Sequence, residues 1–238
     1  MATQSVIRRQ MKASQAQMPG QLDAVGWSAE GRHHLRVFLS NPAQAAQFAN
    51  PSPEGAARLI EARDVAGGAM GVFETDRPGP AQIALQDASG TRTLRRVLPD
   101  GPDWDLFAGR HRLFGQRLEE SVETVLDWLS WHHDHHGADG AVILNRAPPD
   151  SPTGTAEAFA QALDAGMALR ELDLPVILFE CPIPMGKPDL GPESHIYLAP
   201  DAPGKDRMTP PAPDPWRAPQ GQGLIFELVK WQIGRAHV

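Results

Sequence analysis

An α/β fold with a parallel sheet, preceded by a small β-rich module, is predicted by three observations. Residues 141–144 (AVIL) and 176–179 (VILF) are continuous apolar runs, as strands buried on both faces of a parallel sheet require. Each is preceded by apolar residues at three- and four-residue spacing, Val122, Val125, Leu126 and Leu129 in one case, Ala156, Phe159, Ala160 and Leu163 in the other, which is the helical period. Strand and helix alternating in this order imply right-handed crossovers and a parallel sheet. The first hundred residues instead carry short alternating runs with glycine-containing turns, the pattern of antiparallel pairs. The expected division is a β-rich module over 1–103 with a loose N-terminal lead-in, an incomplete α/β domain over 104–232, and a separate tail over 233–238.

Taken in order, residues 1–30 show no sustained periodicity. Residues 33–40 (HHLRVFLS) place Leu35, Val37 and Leu39 on one side of a half-buried strand. Residues 53–63 are expected to form a short helix ended by Gly67 and Gly68, and 70–74 a strand. AQIALQDA and TRTLRRVL flank Ser89-Gly90 and read as a β-hairpin. Residues 100–103 are read as a linker; Asp103-Trp104-Asp105 is formally D-x-D, but so short a motif before the sheet begins is read as part of the same linker. Leu113 and Phe114 start the parallel strands. Ser121 is expected to cap the first helix, with Glu123 in the first turn where the helix dipole favours a carboxylate and Gly137 as the closing glycine. Asn145 stands just past the strand that follows, at the carboxyl end where open α/β sheets place ligands. Thr155 is expected to cap the second helix and Gly166 to end it. Ten prolines between 184 and 219 exclude helix and inner strand there and predict a long functional loop. Residues 222–231 return to a helical pattern, with Ile225, Leu228 and Val229 on one face.

Composition narrows the function classes. A net charge of −7 argues against general binding to nucleic acid or anionic membranes, and no apolar stretch approaches the ~20 residues of a membrane helix. The N-terminal residues have basic side chains but no apolar core behind them, so no signal peptide is expected. The single cysteine, Cys181, excludes an internal disulfide and suggests a reducing, cytoplasmic setting.

The stretch WLSWHHDHHGADGAVILN resembles the motif of a bacterial branch of the family 2-like glycosyltransferases, which reads roughly E-W-L-x-[YW]-H-x-x-x-G-[VA]-D-x-x-x-[IVL]-x-[DN]-N. Trp128, Leu129, Trp131, His132, Gly137, Asp139 and Asn145 fit it, with one extra residue before the glycine. The K-N-E that precedes the motif in the family falls on Arg117, Leu118 and Glu119, keeping the acid and replacing Lys by Arg. The resemblance covers about residues 112–231 and implies a GT-A-like, Rossmann-like sheet. It implies a nucleotide-sugar donor, a glycan or cell-surface acceptor, and Mg or Mn held by an acidic D-x-D motif on a strand beyond Trp231. It also implies that Arg117 and Glu119 line the nucleotide pocket and that Asn145 and Asp150 approach the donor from the next exit loop; no catalytic residue is assigned. The family's D-N-x-S-x-D-like run is altered here: Leu144 replaces the first acid, Arg146 and Ala147 follow Asn145, and Pro148-Pro149 precede Asp150. The alternative is therefore a degenerate, non-catalytic binding or scaffolding domain of the same fold. The present chain is expected to be inactive on its own.

The remaining candidates are weaker. His132 and His136 have the i, i+4 spacing of helical zinc sites, but the chain has no H-E-x-x-H and no third donor can be named. On a helical wheel His133 and His136 fall with Val122, Leu126 and Leu129, and His132 at the edge of that stripe, so histidines bonded to the scaffold at the core's edge are expected rather than metal ligands. Trp128 is expected in the core and Trp131, on the opposite side, against the N-terminal module. Cys181, at a strand end with no positioned base, reads as packing, and Lys187 and His195 as solvated loop residues. The hexapeptide IGRAHV at 233–238 is the translation of a common short-read sequencing adapter and is expected to be an artefact of the nucleotide sequence, in which case the parent protein continues past Gln232.

Overall fold

The computed structural model of the chain describes residues 5–12, 21–40, 44–49, 57–65, 68–148, 150–181, 184, 216 and 222–234. They form two compact units, one from residues 1–11 with 105–219, the other from 12–104 with 220–238.

The first unit is α/β. Its sheet contains β1 (Val6–Gln10), β9 (Arg112–Arg117), β10 (Gly140–Asn145) and β11 (Val176–Glu180), in the order β1-β11-β10-β9 and parallel throughout. Helix α1 (Val122–His136) joins β9 to β10, and α2 (Ala156–Leu169) joins β10 to β11. Every residue of β10 is buried, which accounts for its unbroken apolar run. Ala141, Ile143, Val176 and Leu178 share a core cluster with Leu126 and Leu129 of α1 and with Phe159, Leu163 and Met167 of α2. The two helices thus cover one face of the sheet.

The caps of α1 fall where local chemistry requires. Ser121 accepts from the Thr124 N–H, and Gly137 closes the helix in the left-handed region at φ 63°, where glycine carries no Cβ penalty. Thr155 caps α2 through the Ala158 N–H, but α2 runs to Leu169 instead of stopping at Gly166. That glycine is used for close approach: a Cβ there would lie 2.4 Å from Leu126 Cδ1.

The second unit is antiparallel β. Strands β2 (Gln21–Ala29), β3 (Arg32–Ser40), β5 (Arg58–Val65) and β6 (Gly68–Thr75) form a sheet ordered β2-β3-β6-β5. Strands β4 (Phe48–Ala49), β7 (Ala81–Gln86) and β8 (Arg92–Val97) form another, ordered β4-β7-β8. The hairpin expected around Ser89-Gly90 is β7–β8, and Asp87 ties its turn by accepting from the Ser89 and Thr91 N–H groups. The core joins Leu35, Val37 and Leu39 of β3 to Phe73, Ile83, Leu85 and Val97.

Several expectations are corrected. The lead-in contains β1 and β2. Neither is legible locally, because β1 is a five-residue edge strand held by β11 at a separation of 170 residues and β2 has a register irregularity between Gln21 and Asp23. The helix expected over 53–63 is instead strand β5 within the described residues. Leu59, Ile60 and Ala62 suit either period, and pairing with β6 decides. Helix α3 (Gln222–Gln232) belongs with the β-rich unit, where it contacts β2 and β3. The expected linker is tied into the same unit: Asp100 bridges Val25, the Asp103 N–H donates to Gln232 O, and Trp104 Nε1 donates to Trp231 O at 2.9 Å. Ile233 is buried and its N–H donates to Val229 O. Lys187, His195, Pro149, most of the proline-rich loop and residues 235–238 lie outside the described residues.

Candidate functional site at the carboxyl ends of the parallel strands

The four residues singled out from sequence stand at one end of one sheet. Arg117 is the last residue of β9 and Asn145 the last of β10, and they are register partners in adjacent parallel strands. Glu119 and Asp150 follow in the two exit loops, Glu119 half-buried and Asp150 exposed.

Arg117 organises this end. Its side chain is 1% exposed, and each guanidinium nitrogen donates once. Nε donates to Glu120 O at 3.0 Å, Nη1 to Asn145 Oδ1 at 2.6 Å, and Nη2 to Thr153 Oγ1. Its Cζ lies 3.7 Å from the ring centroid of Phe159 on α2, a cation–π contact in a desolvated setting. One planar fork therefore joins the exit of β9, the end of β10, the loop after β10 and helix α2. Lysine, a single point donor, could not make this set. Burial pulls the Arg117 guanidinium down from its ordinary value, while the negative charges of Glu120 and Glu119 work in the other direction. Glu119 thus supports a buried cation whether or not it also meets a ligand. Glu120 turns back on its own loop, accepting from the Leu118 N–H at 2.7 Å.

Asn145 is 4% exposed. Its Oδ1 also receives the Ala147 N–H at 3.4 Å, and its carbonyl receives the Cys181 N–H. The loop after β10 is held by Ser151, whose N–H donates to Pro148 O and whose Oγ lies 2.7 Å from Thr153 Oγ1. Arg146, which stands among the departures from the family motif, is also buried; it donates to Gln116 Oε1 at 3.1 Å and Trp216 O at 2.6 Å. Sequence reasoning passed over Thr153, Ser151 and Phe159. The only available signal was the S-P-T run, whose hydroxyls suit loop bonding; Phe159 gave none beyond its place on an apolar stripe.

The other candidates divide. His133 behaves as expected, its Nδ1 2.8 Å from Ala138 O, and Trp128 packs on the core cluster. His136 is exposed, and its Nδ1 lies 3.0 Å from that of half-buried His132. Trp131 is 50% exposed and its ring contacts are with histidines of its own helix. Cys181 is a buried free thiol. Among the described residues, no group of three His, Cys, Asp or Glu side chains is placed to hold a metal. Among the same residues, no helix is long and apolar enough to cross a membrane. A polar cleft of about 390 Å³ in the β-rich unit, lined in part by Asp76, Arg77 and Arg96, includes none of the four strand-end residues.

Fold and site together define an α/β protein with a parallel sheet whose strand-end loops are gathered by a buried arginine. No protein-family model matches the chain, and none of the curated proteins compared with it matches either.

Proposed function

We propose that the α/β unit is the donor-binding part of a glycosyltransferase-like protein. Its full-length parent would transfer a sugar from a nucleotide-sugar to a glycan or cell-surface acceptor. The observation that carries this reading is the juxtaposition, at the carboxyl ends of two adjacent parallel strands, of an internally braced Arg117–Asn145 pair and two carboxylates in the exit loops, half-buried Glu119 and exposed Asp150. Ligands of open α/β sheets bind at such strand ends, and a rigid second layer of residues is what fixes contact residues on loops. Arg117 and Asn145 position the exit loops; Glu119 and Asp150 would meet the ribose or sugar hydroxyls as hydrogen-bond acceptors. The same reading calls for Mg or Mn at the donor diphosphate.

The second reading, a non-catalytic binding or scaffolding domain, is favoured by one specific observation. Leu144, which the resemblance sets against the first acid of the family's exit-loop run, is an apolar side chain and fully buried. Calorimetric titration of UDP and of GDP, each with Mn²⁺, separates the readings. Saturable binding that weakens at least about tenfold in Glu119→Ala or Asp150→Ala supports the donor site. Absence of binding to both nucleotides favours the non-catalytic domain. No sugar transfer is expected from the 238-residue chain itself.

A further inference from the structure

The last turn of α1 holds an arrangement unrelated to the strand-end site. His132 and His136, one helical turn apart, direct Nδ1 atoms at each other across 3.0 Å. Two imidazole nitrogens that share an ion at metal–nitrogen distances of ~2.05 Å and are 3.0 Å apart subtend an angle of about 94° at the metal. That bite is near the right angle of tetragonal and octahedral coordination and short of the tetrahedral angle. Square-planar or tetragonal nitrogen sites are those of Cu²⁺ and Ni²⁺, and Cu²⁺ heads the affinity order of the divalent first-row ions. We infer that His132 and His136 form an open, two-imidazole chelate for a divalent transition metal ion, Cu²⁺ above all.

Three further features suit the pair to this role. His136 lies in the last turn of a fifteen-residue helix and His132 one turn before it, near the end where the helix dipole favours a cation. His136 is exposed and His132 half-buried, so an ion can enter from solvent. Among the described residues no third protein ligand joins them, leaving the other coordination positions to water or a small anion. The neighbouring histidines are committed elsewhere at Nδ1, His133 to Ala138 O and His135 to Trp131 O, each at 2.8 Å. Without metal, one of the two facing nitrogens carries a proton that the other accepts. On binding, the proton-bearing ring adopts its other tautomer and both nitrogens turn lone pairs to the ion. Coordination requires both rings neutral, so affinity falls in acid.

Trp131 supplies the readout, its ring centroid 4.8 Å from that of His132 and 4.7 Å from that of His136. The tag-free full chain is titrated with Cu²⁺, Ni²⁺ and Zn²⁺ while tryptophan fluorescence and heat are followed. Saturable quenching by Cu²⁺ at one ion per chain is expected, reduced in Trp131→Phe and further reduced when Trp128, whose ring centroid is 5.4 Å from that of His132, is also replaced, although the heat of binding remains. His136→Ala, at an exposed position, is expected to weaken Cu²⁺ binding at least tenfold by removing one arm of the chelate, and His135→Ala to leave it unchanged. The spin-resonance spectrum of the Cu²⁺ form should show two coordinating imidazole nitrogens. Binding that His136→Ala leaves intact, quenching that never saturates, or a spectrum without paired imidazoles would each overturn the assignment and reduce the metal uptake to adventitious surface binding.

Discussion

The sequence places Arg117 just after the first parallel strand, but its role depends on partners 28 or more residues further along the chain. Asn145, Thr153 and Phe159 are contributed by a strand, a loop and a helix. Truncation to Arg117→Met keeps much of the stem and removes the donors, leaving the Asn145 Oδ1 and the Glu120 carbonyl short of partners. At about 1–3 kcal/mol for each buried group so exposed, a loss of about 3 kcal/mol is expected in urea unfolding, and Arg117→Lys should recover only a minor part. A second residue-scale consequence concerns Asp23 in β2, which is 3% exposed. Burial pushes its carboxyl up to about 7; the Ala24 N–H at 2.8 Å opposes the rise, Asp100 adds to it and Lys12 opposes it. The folded pKa lies above the unfolded value of ~3.9, so between about pH 4 and 7 the native chain binds the proton more tightly than the unfolded chain does. Its stabilising contribution is complete below that window and is lost as pH rises through 7. Asp23→Asn should therefore flatten the decline in urea midpoint from pH 4 to 8. Parallel declines in both proteins would show that Asp23 does not carry it.

At the scale of elements, the legible ones are those whose ends are written in neighbouring residues. Helix α1 is bounded by a Ser121 cap and a Gly137 stop, both set by chemistry within one turn of the chain. No heavy atom lies within 4 Å of a Cβ built on Gly137, so Gly137→Ala tests the backbone term alone. A loss of about 1 kcal/mol is expected, read as a shift in thermal midpoint, with Gly137→Asn costing less because asparagine tolerates the left-handed region better. Gly166 shows where such reading stops. A glycine near the end of a helix suggests a terminator, yet here it admits Leu126 from the neighbouring helix, a fact of packing with no local mark. Strand β5 departs from the helix expected there for a related reason, since a short apolar set compatible with both periods takes its state from the strand beside it. The same applies to α3, whose amphipathic pattern is plain and whose partner sheet is not.

At the scale of the whole molecule, residues far apart in sequence complete each unit. The parallel sheet is closed on one side by β1, and Val6, fully buried, belongs to the same core cluster as Leu178 and Met167. The Ser5 and Val6 N–H groups are held by Asp164 of α2 at 2.8 and 3.0 Å. Val6→Asp in the full chain should destabilise the α/β unit by at least about 3 kcal/mol and bare the β11 edge, which light scattering would register as association. A chain that stayed monodisperse and equally stable would show that β1 is dispensable. The α/β class, the two continuous parallel strands, the caps of α1 and α2, and the hairpin are all legible in local sequence, because periodicity and capping act within a few residues. The sequence also placed Arg117, Glu119, Asn145 and Asp150 at strand ends. That the first strand closes the parallel sheet, that α3 joins the antiparallel unit, and that Arg117 lies buried with Asn145 and Thr153 follow from long-range packing alone. Those outcomes depend on which distant surfaces bury one another, and burial between residues from about thirty to nearly two hundred positions apart leaves no periodic trace in either segment.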